Sequence, residues 1–121
     1  MRLDPICPVA RALDVVGEKW TLLVLRDLFR HESRRFQDLQ AALPGMAPNT
    51  LSARLKSLQA HGIITRRFYS EHPPRPEYLL TQKGQTLGPV LAALRDWGAT
   101  HGAADQAAVR AGGGPGMEPG R

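Results

Sequence analysis

The 121-residue sequence predicts a mostly α-helical domain with one small β-hairpin, and three observations carry that prediction. Arg35 to Leu43 places Phe36, Leu39 and Leu43 on one helical face and runs into the turn Pro44-Gly45-Met46-Ala47. A second amphipathic stretch opens on Pro48, a residue tolerated in the first turn of a helix because its missing N–H would have no partner there. Ile63 to Leu80 then holds two β-branched and aromatic runs around a Pro-rich turn, which reads as a hairpin. Helix, Gly-containing turn, helix and hairpin, in that order, make a winged helix-turn-helix.

The elements follow along the chain. Pro5 to Val16 is predicted as a first helix, with Cys7 at its N-cap, Pro8 at N1 and an apolar stripe of Val9, Leu13 and Val16. Gly17-Glu18 breaks it. Lys19 to Phe29 is apolar on most sides, through Trp20, Leu22, Leu23, Val24, Leu25, Leu28 and Phe29, which predicts the centre of the core. A polar joint from Arg30 to Ser33 leads to the helix at Arg35.

The helix from Pro48 has separable faces. At about 100° per residue, Leu51, Leu55 and Leu58 point one way; Asn49, Thr50, Ala53, Lys56 and Ser57 point the other, with Ser52 and Arg54 on the flanks. Gly62 ends it as a left-handed cap. Ile63 to Tyr69 is the first strand, Glu71 to Pro76 the turn and Glu77 to Leu80 the return strand. Thr81 caps a last helix bearing Leu87, Val90, Leu91, Leu94 and Trp97 on one stripe, kinked at Pro89. The domain is therefore drawn as residues 1–101. Residues 102–121, rich in Gly, Pro and Ala, cannot bury enough apolar surface to offset ordering and are expected to be a disordered tail.

Composition narrows the function. The net charge is +5, and from Arg30 to Arg75 eight Lys/Arg face three acids, so the local excess equals that of the whole chain. Positive charge gathered on a candidate reading element is the footprint of a phosphate-binding surface. No apolar run approaches the ~18 residues that span a bilayer, and no secretory leader is visible, so a cytoplasmic protein without membrane contact is expected. One cysteine builds no disulfide framework. His31, His61, His72 and His101 share no metal-ligand spacing, and no phosphate loop or nucleophile elbow is present. Neither a cofactor, a metal nor an enzymatic activity is expected.

For double-stranded DNA the candidate contacts are Arg34 and Arg35 at a helix start, and Asn49, Thr50, Ser52, Ala53, Arg54 and Lys56 on the reading helix. Arg66 and Arg75 on the wing complete the set. Asn suits bidentate pairing with adenine, which puts Asn49 first for base contact. Arg54 is open to three readings: a phosphate contact, an ion pair, or packing of its stem on the core edge. Arg66 and Arg67 are strand neighbours and point to opposite sides, so both cannot face DNA. Arg75, near the wing tip, is placed to enter a minor groove. Leu87, Val90, Leu91, Leu94 and Trp97 are too apolar a stripe for a domain this small to leave in water, which predicts a homodimer interface.

These residues carry a family resemblance from Cys7 to Trp97. It rests on Cys7-Pro8, on Gly17-Glu18-Lys19-Trp20 running to Leu25-Arg26-Asp27-Leu28, and on Arg35-Phe36-Gln37-Asp38-Leu39 with Leu43-Pro44-Gly45. Leu51-Ser52-Ala53-Arg54-Leu55, Leu58, Gly62, Glu77-Tyr78, Leu80-Thr81 and Gly84 complete it. In that order and spacing the chain resembles the HxlR-type winged helix-turn-helix transcriptional regulators, relatives of the MarR group. The resemblance implies a homodimer built from N- and C-terminal helices, DNA binding through the winged motif, and no catalysis. Two departures stand out: Glu18 replaces a second glycine, and Pro76 replaces a strand residue in the wing, so the return strand is expected to start late. Some members of that family sense through a cysteine near Cys7, which makes Cys7 either a sensor of a small electrophile or oxidant, or a packed small hydrophobe. A winged-helix module that binds a protein partner instead of DNA is the competing reading, and salt-dependent binding to duplex DNA separates the two.

Overall fold

The computed structural model describes residues 7–102. The expected helix start at Pro5 and, from residue 103 on, the expected tail lie outside them. The chain divides into two compact units, one ending at Gly88 and one beginning at Pro89. The first holds α1 (Pro8–Val16), α2 (Thr21–Arg30), α3 (Phe36–Ala42), α4 (Pro48–Ala60), β1 (Ile64–Glu71), β2 (Pro74–Leu80) and α5 (Gln82–Gln85). α6 (Gly88–Trp97) starts at the boundary and, within the second unit, runs into a π-helical turn over Gly98–Gly102.

The core of the first unit is where the helical stripes predicted it. Val24, Leu25 and Leu28 of α2, Leu39 of α3, and Leu51, Leu55 and Leu58 of α4 are all buried, with Ile63, Ile64 and Tyr78 closing it beneath the hairpin. Each such side chain contributes roughly 1.5–3 kcal/mol by leaving water. α2 is less enclosed than its composition predicts: Leu23 and Phe29 keep about 40% of their surface, while Thr21 and Asp27 are buried. α1 departs further. Ala10 and Val16 are buried, but Val9 and Leu13 of the predicted stripe are exposed.

The turn between α3 and α4 depends on Gly45, whose φ of +98° lies in the left-handed region that favours glycine. Gly84 has a different role. Any side chain there would run into the Ile63 carbonyl, so a glycine lets α5 close on the base of the hairpin. Thr81 caps α5, its hydroxyl accepting the Gly84 N–H at 3.0 Å and donating to the Gly62 carbonyl at 2.6 Å.

β1 and β2 pair antiparallel, with Ile64 opposite Leu80, Arg66 opposite Tyr78 and Arg67 opposite Glu77. Opposed residues share a face, so Ile64, Arg66 and Tyr78 lie on one side and Thr65, Arg67 and Glu77 on the other. Arg34 adds a short third edge: its N–H donates to the Tyr78 carbonyl at 2.9 Å, and Tyr78 N–H donates back at 2.7 Å. The α2–α3 joint is thereby fixed to the wing.

Two boundary expectations are corrected. The return strand begins at Pro74, not late, so the turn shrinks to His72-Pro73. Pro74 and Pro76 fit because a two-stranded hairpin leaves one edge of each strand unpaired, and a bulge between Phe68 and Ser70 absorbs the irregularity. The last helix is two helices. α5 stops after Gln85, and Pro89 stands in the first turn of α6, where proline opens a helix instead of kinking one.

Candidate nucleic-acid interface

α4 starts as Pro48 predicts and turns Leu51, Leu55 and Leu58 fully inward. That commitment decides the opposite face. Asn49, Ala53 and Lys56 are exposed, and Thr50, Ser52, Arg54 and Ser57 are half-buried along its edges. Asn49 and Thr50 lie in the first turn of α4, the end of a reading helix that reaches base edges in helix-turn-helix proteins. The structure thus brings the six α4 candidates into one strip, with Arg54 set apart from the rest by its partner.

Half of the eight cations counted between Arg30 and Arg75 are ion-paired: Arg34, Arg35, Arg54 and Arg67. Arg34 Nε donates to buried Asp27 at 2.7 Å, and its guanidinium also reaches the Asp38 carbonyl at 3.3 Å. Arg35 is the N-cap of α3. Asp38, three residues on, accepts from the Arg35 backbone N–H at 3.0 Å and from its Nε at 3.2 Å. The Arg35 side chain and then its backbone N–H hold the Asp38 carboxyl below the usual carboxylate range. Arg35 in turn is held more firmly protonated than usual, first by Tyr69 of β1 and then by Asp38. On the outer face of the wing, Glu77 accepts from Ser33 Oγ and from Arg67 Nε, each at 2.8 Å, and those bonds lower its pKa.

Arg54 is the sharpest case. Its Nη1 lies 2.9 Å from Glu18 Oε1, its side chain is only 18% exposed, and its Nε is enclosed with no hydrogen-bond partner. Of the three readings of Arg54, the isolated chain adopts the ion pair. Lys56 is exposed with no acid partner among the described residues. Arg66 stands over the Phe68 ring at 5.3 Å from its centroid, on the half of the hairpin beyond buried Ile64, and Arg75 is exposed near the tip. Among the described residues the cations of that stretch without an acid partner are Arg30, Lys56, Arg66 and Arg75, the last three on α4 and the wing. Glu18, Asp27, Ser33, Tyr69 and Glu77 were not among the candidates. Glu77 is the cross-strand partner of Arg67, while no helical or strand spacing links Glu18 to Arg54, Asp27 to Arg34 or Ser33 to Glu77, and only the fold brings those into view.

Cys7 is the N-cap of α1, half-buried, with its carbonyl accepting the Arg11 N–H at 3.0 Å and its thiol making no cap bond. Considered by itself, the second unit has an apolar face on α6. Val90, Leu94 and Trp97 are 45%, 49% and 61% exposed, while Leu91 is half-buried, and the Trp97 ring meets His101 at 4.9 Å. Leu87 is half-buried in the segment before Gly88. Among the described residues no helix is long and apolar enough to cross a membrane, and no cluster of three or more metal-ligating side chains occurs.

This arrangement has known counterparts. Residues 15–106 match the family model described as HxlR-like helix-turn-helix. An uncharacterized HTH-type transcriptional regulator of Synechocystis, sll1512, is 47% identical over 93 residues, which cover 77% of this chain and 68% of that protein. YvaP of Bacillus subtilis, of the same description, is 37% identical over 98 residues, covering 80% of this chain and 90% of its own. Among solved structures, the oxidized form of the redox regulator HypR aligns with a TM-score of 0.73 at 34% identity, over 78% of this chain and 97% of that one.

Proposed function

The chain belongs to the HxlR-like helix-turn-helix family of transcriptional regulators, and from that membership we propose that it reads double-stranded DNA as a homodimer. The observation that carries the proposal is the split of α4: three leucines fully inward, Asn49, Ala53 and Lys56 fully outward, and a wing with exposed Arg66 and Arg75 beside it. α4 enters the major groove, where Asn49 meets a base edge and Lys56 a phosphate. Arg75 at the wing tip reaches the adjacent minor groove, where a narrow, strongly negative groove favours arginine. Arg34 and Arg35 brace the joint and the wing through Asp27, Asp38 and Tyr69, and contribute little charge of their own to the contact.

The exposed stripe of Val90, Leu94 and Trp97 supports dimerisation through α6, and the exposed Val9 and Leu13 of α1 offer a second apolar surface to the partner. A two-fold dimer reads two half-sites about one helical turn apart, or a multiple of that. Selection from a random duplex library tests this. Enrichment of an inverted repeat with that spacing is the expected result; no enrichment, with binding indifferent to salt, favours the protein-partner module.

Cys7 supports a signal input. It is half-exposed at a helix N-terminus in a chain whose described fold aligns with an oxidized redox regulator. Oxidant or electrophile then modifies Cys7 and shifts α1. The test compares DNA binding by wild type and Cys7→Ser, each with and without diamide. Equal affinities in all four samples return Cys7 to the role of a packed hydrophobe.

A further inference from the structure

We propose that Glu18, in the joint between α1 and α2, is a positioning residue for the reading helix: its carboxylate holds the Arg54 guanidinium and withholds that cation from DNA phosphates. The proposal rests on the DNA-reading function above and concerns how many phosphates that function contacts. α4 carries two cations, Arg54 and Lys56, one on its flank and one on its exposed face. The flank cation is not free to reach out. Its side chain is 18% exposed and its Nε is enclosed without a partner, so the guanidinium meets its surroundings through the Nη end, where Glu18 Oε1 sits at 2.9 Å.

The two partners are unequal. Glu18 is 70% exposed, so the carboxylate is the solvent-side member of the pair and the arginine the inner one. A phosphate approaching Arg54 meets a negative charge and gains nothing from the cancelled positive one. Counterion release counts phosphates that are neutralised, so a cation already neutralised from within the protein adds nothing to it. The pair also spans 36 positions of sequence and ties the α1–α2 joint to α4. Glu18 thus sets both where the reading helix is braced and how much charge it presents. A neutral residue at position 18 leaves an inner guanidinium without its counter-charge, and such a cation turns toward the nearest anion. On the DNA complex that anion is a phosphate.

The experiment titrates a fluorescein-labelled mixed-sequence duplex of about three helical turns with the full-length protein at several salt concentrations. Wild type, Glu18→Gln, Arg54→Gln and the double variant are compared, with thermal melts of each. In E18Q, two released arginines per dimer steepen the slope of log K against log salt by about 1.8, so its affinity gain shrinks roughly tenfold between about 50 and 200 mM salt. Adding Arg54→Gln to E18Q returns the slope to the wild-type value. Because Glu18 is so exposed, Glu18→Ala serves as a second variant with the same expected slope.

Four results overturn the proposal. Arg54→Gln alone flattening the slope by that amount means that Arg54 already contacts phosphate. E18Q and Arg54→Gln lowering the melting temperature and the affinity together, at constant slope, means that the pair is structural only. Wild type showing no salt-dependent duplex binding overturns the DNA reading itself; wild type binding normally with E18Q indistinguishable from it overturns the role of Glu18 alone.

Discussion

Trp97→Ala separates a dimerising stripe from a merely exposed one. A tryptophan side chain presents about 250 Å², and Trp97 keeps 61% of its surface open, which is roughly 150 Å². Covering half of that area on each protomer contributes about 2 kcal/mol at about 25 cal/mol per Å², or about 4 kcal/mol for the symmetric pair. Truncation removes most of it, and the retained Cβ and local repacking reduce the loss somewhat. The dimer Kd therefore rises by about two orders of magnitude. Since Trp97 is exposed on the single chain, the variant keeps its core and its helical content. Sedimentation velocity across a wide concentration range reads the change directly. Wild type that stays monomeric at every concentration, or a variant that dimerises as wild type does, refutes the reasoning.

Other outcomes follow from the same structure. Leu55→Ala, at a residue 2% exposed between α4 and the core, costs about 2–5 kcal/mol, and lowers the melting temperature by about 10 °C or more in calorimetry. Asn49→Ala costs about 1–3 kcal/mol at one base pair and leaves the salt slope unchanged, whereas Lys56→Gln weakens all duplexes alike and flattens the slope by about 1.8 per dimer; competition binding against single-base operator variants distinguishes them. The folded pKa values of Asp38 and Glu77 are depressed, so their contribution is fully present above the ordinary carboxylate range and is lost as pH falls through the folded values. The melting temperature should hold from neutral pH to about pH 5 and fall below about pH 4. Ser33→Ala, which removes the strongest influence on Glu77, lowers the neutral plateau and shortens that acid limb.

α4 and the hairpin were legible in the sequence because local rules govern them. Pro48 opens α4, Gly62 with φ +73° ends it, three leucines at helical spacing face inward, and β-branched residues make β1. The limits of the elements were less so. Pro89 gives the same local signal inside a kinked helix and at the start of a new one, and only the break after Gln85 decides. The sequence predicts too wide a hairpin turn because prolines argue against a paired strand, yet an edge strand tolerates them.

Charge was the least legible quantity. The window from Arg30 to Arg75 counts eight cations against three acids, but Glu18, Asp27 and Glu77 lie outside it and fold back onto Arg54, Arg34 and Arg67. Local counting cannot register a partner that lies many residues away. The same holds for the α1 stripe: helical spacing predicts which residues share a face but not whether the chain itself covers it, and Val9 and Leu13 remain uncovered.

The measurement that tests the central claim most directly is cleavage of DNA from α4 itself. In a Cys7→Ser background, Asn49→Cys carries a tethered iron chelate that cuts nearby strands by hydroxyl radical when the protein is bound to its selected operator. The expected result is two clusters of cuts about one helical turn apart, or a multiple of that, with the same chelate on Arg26→Cys of α2 giving weak, diffuse cleavage. Strong cutting from Arg26→Cys and none from Asn49→Cys, in a complex of normal affinity, would contradict the assignment of α4 as the element that reads DNA.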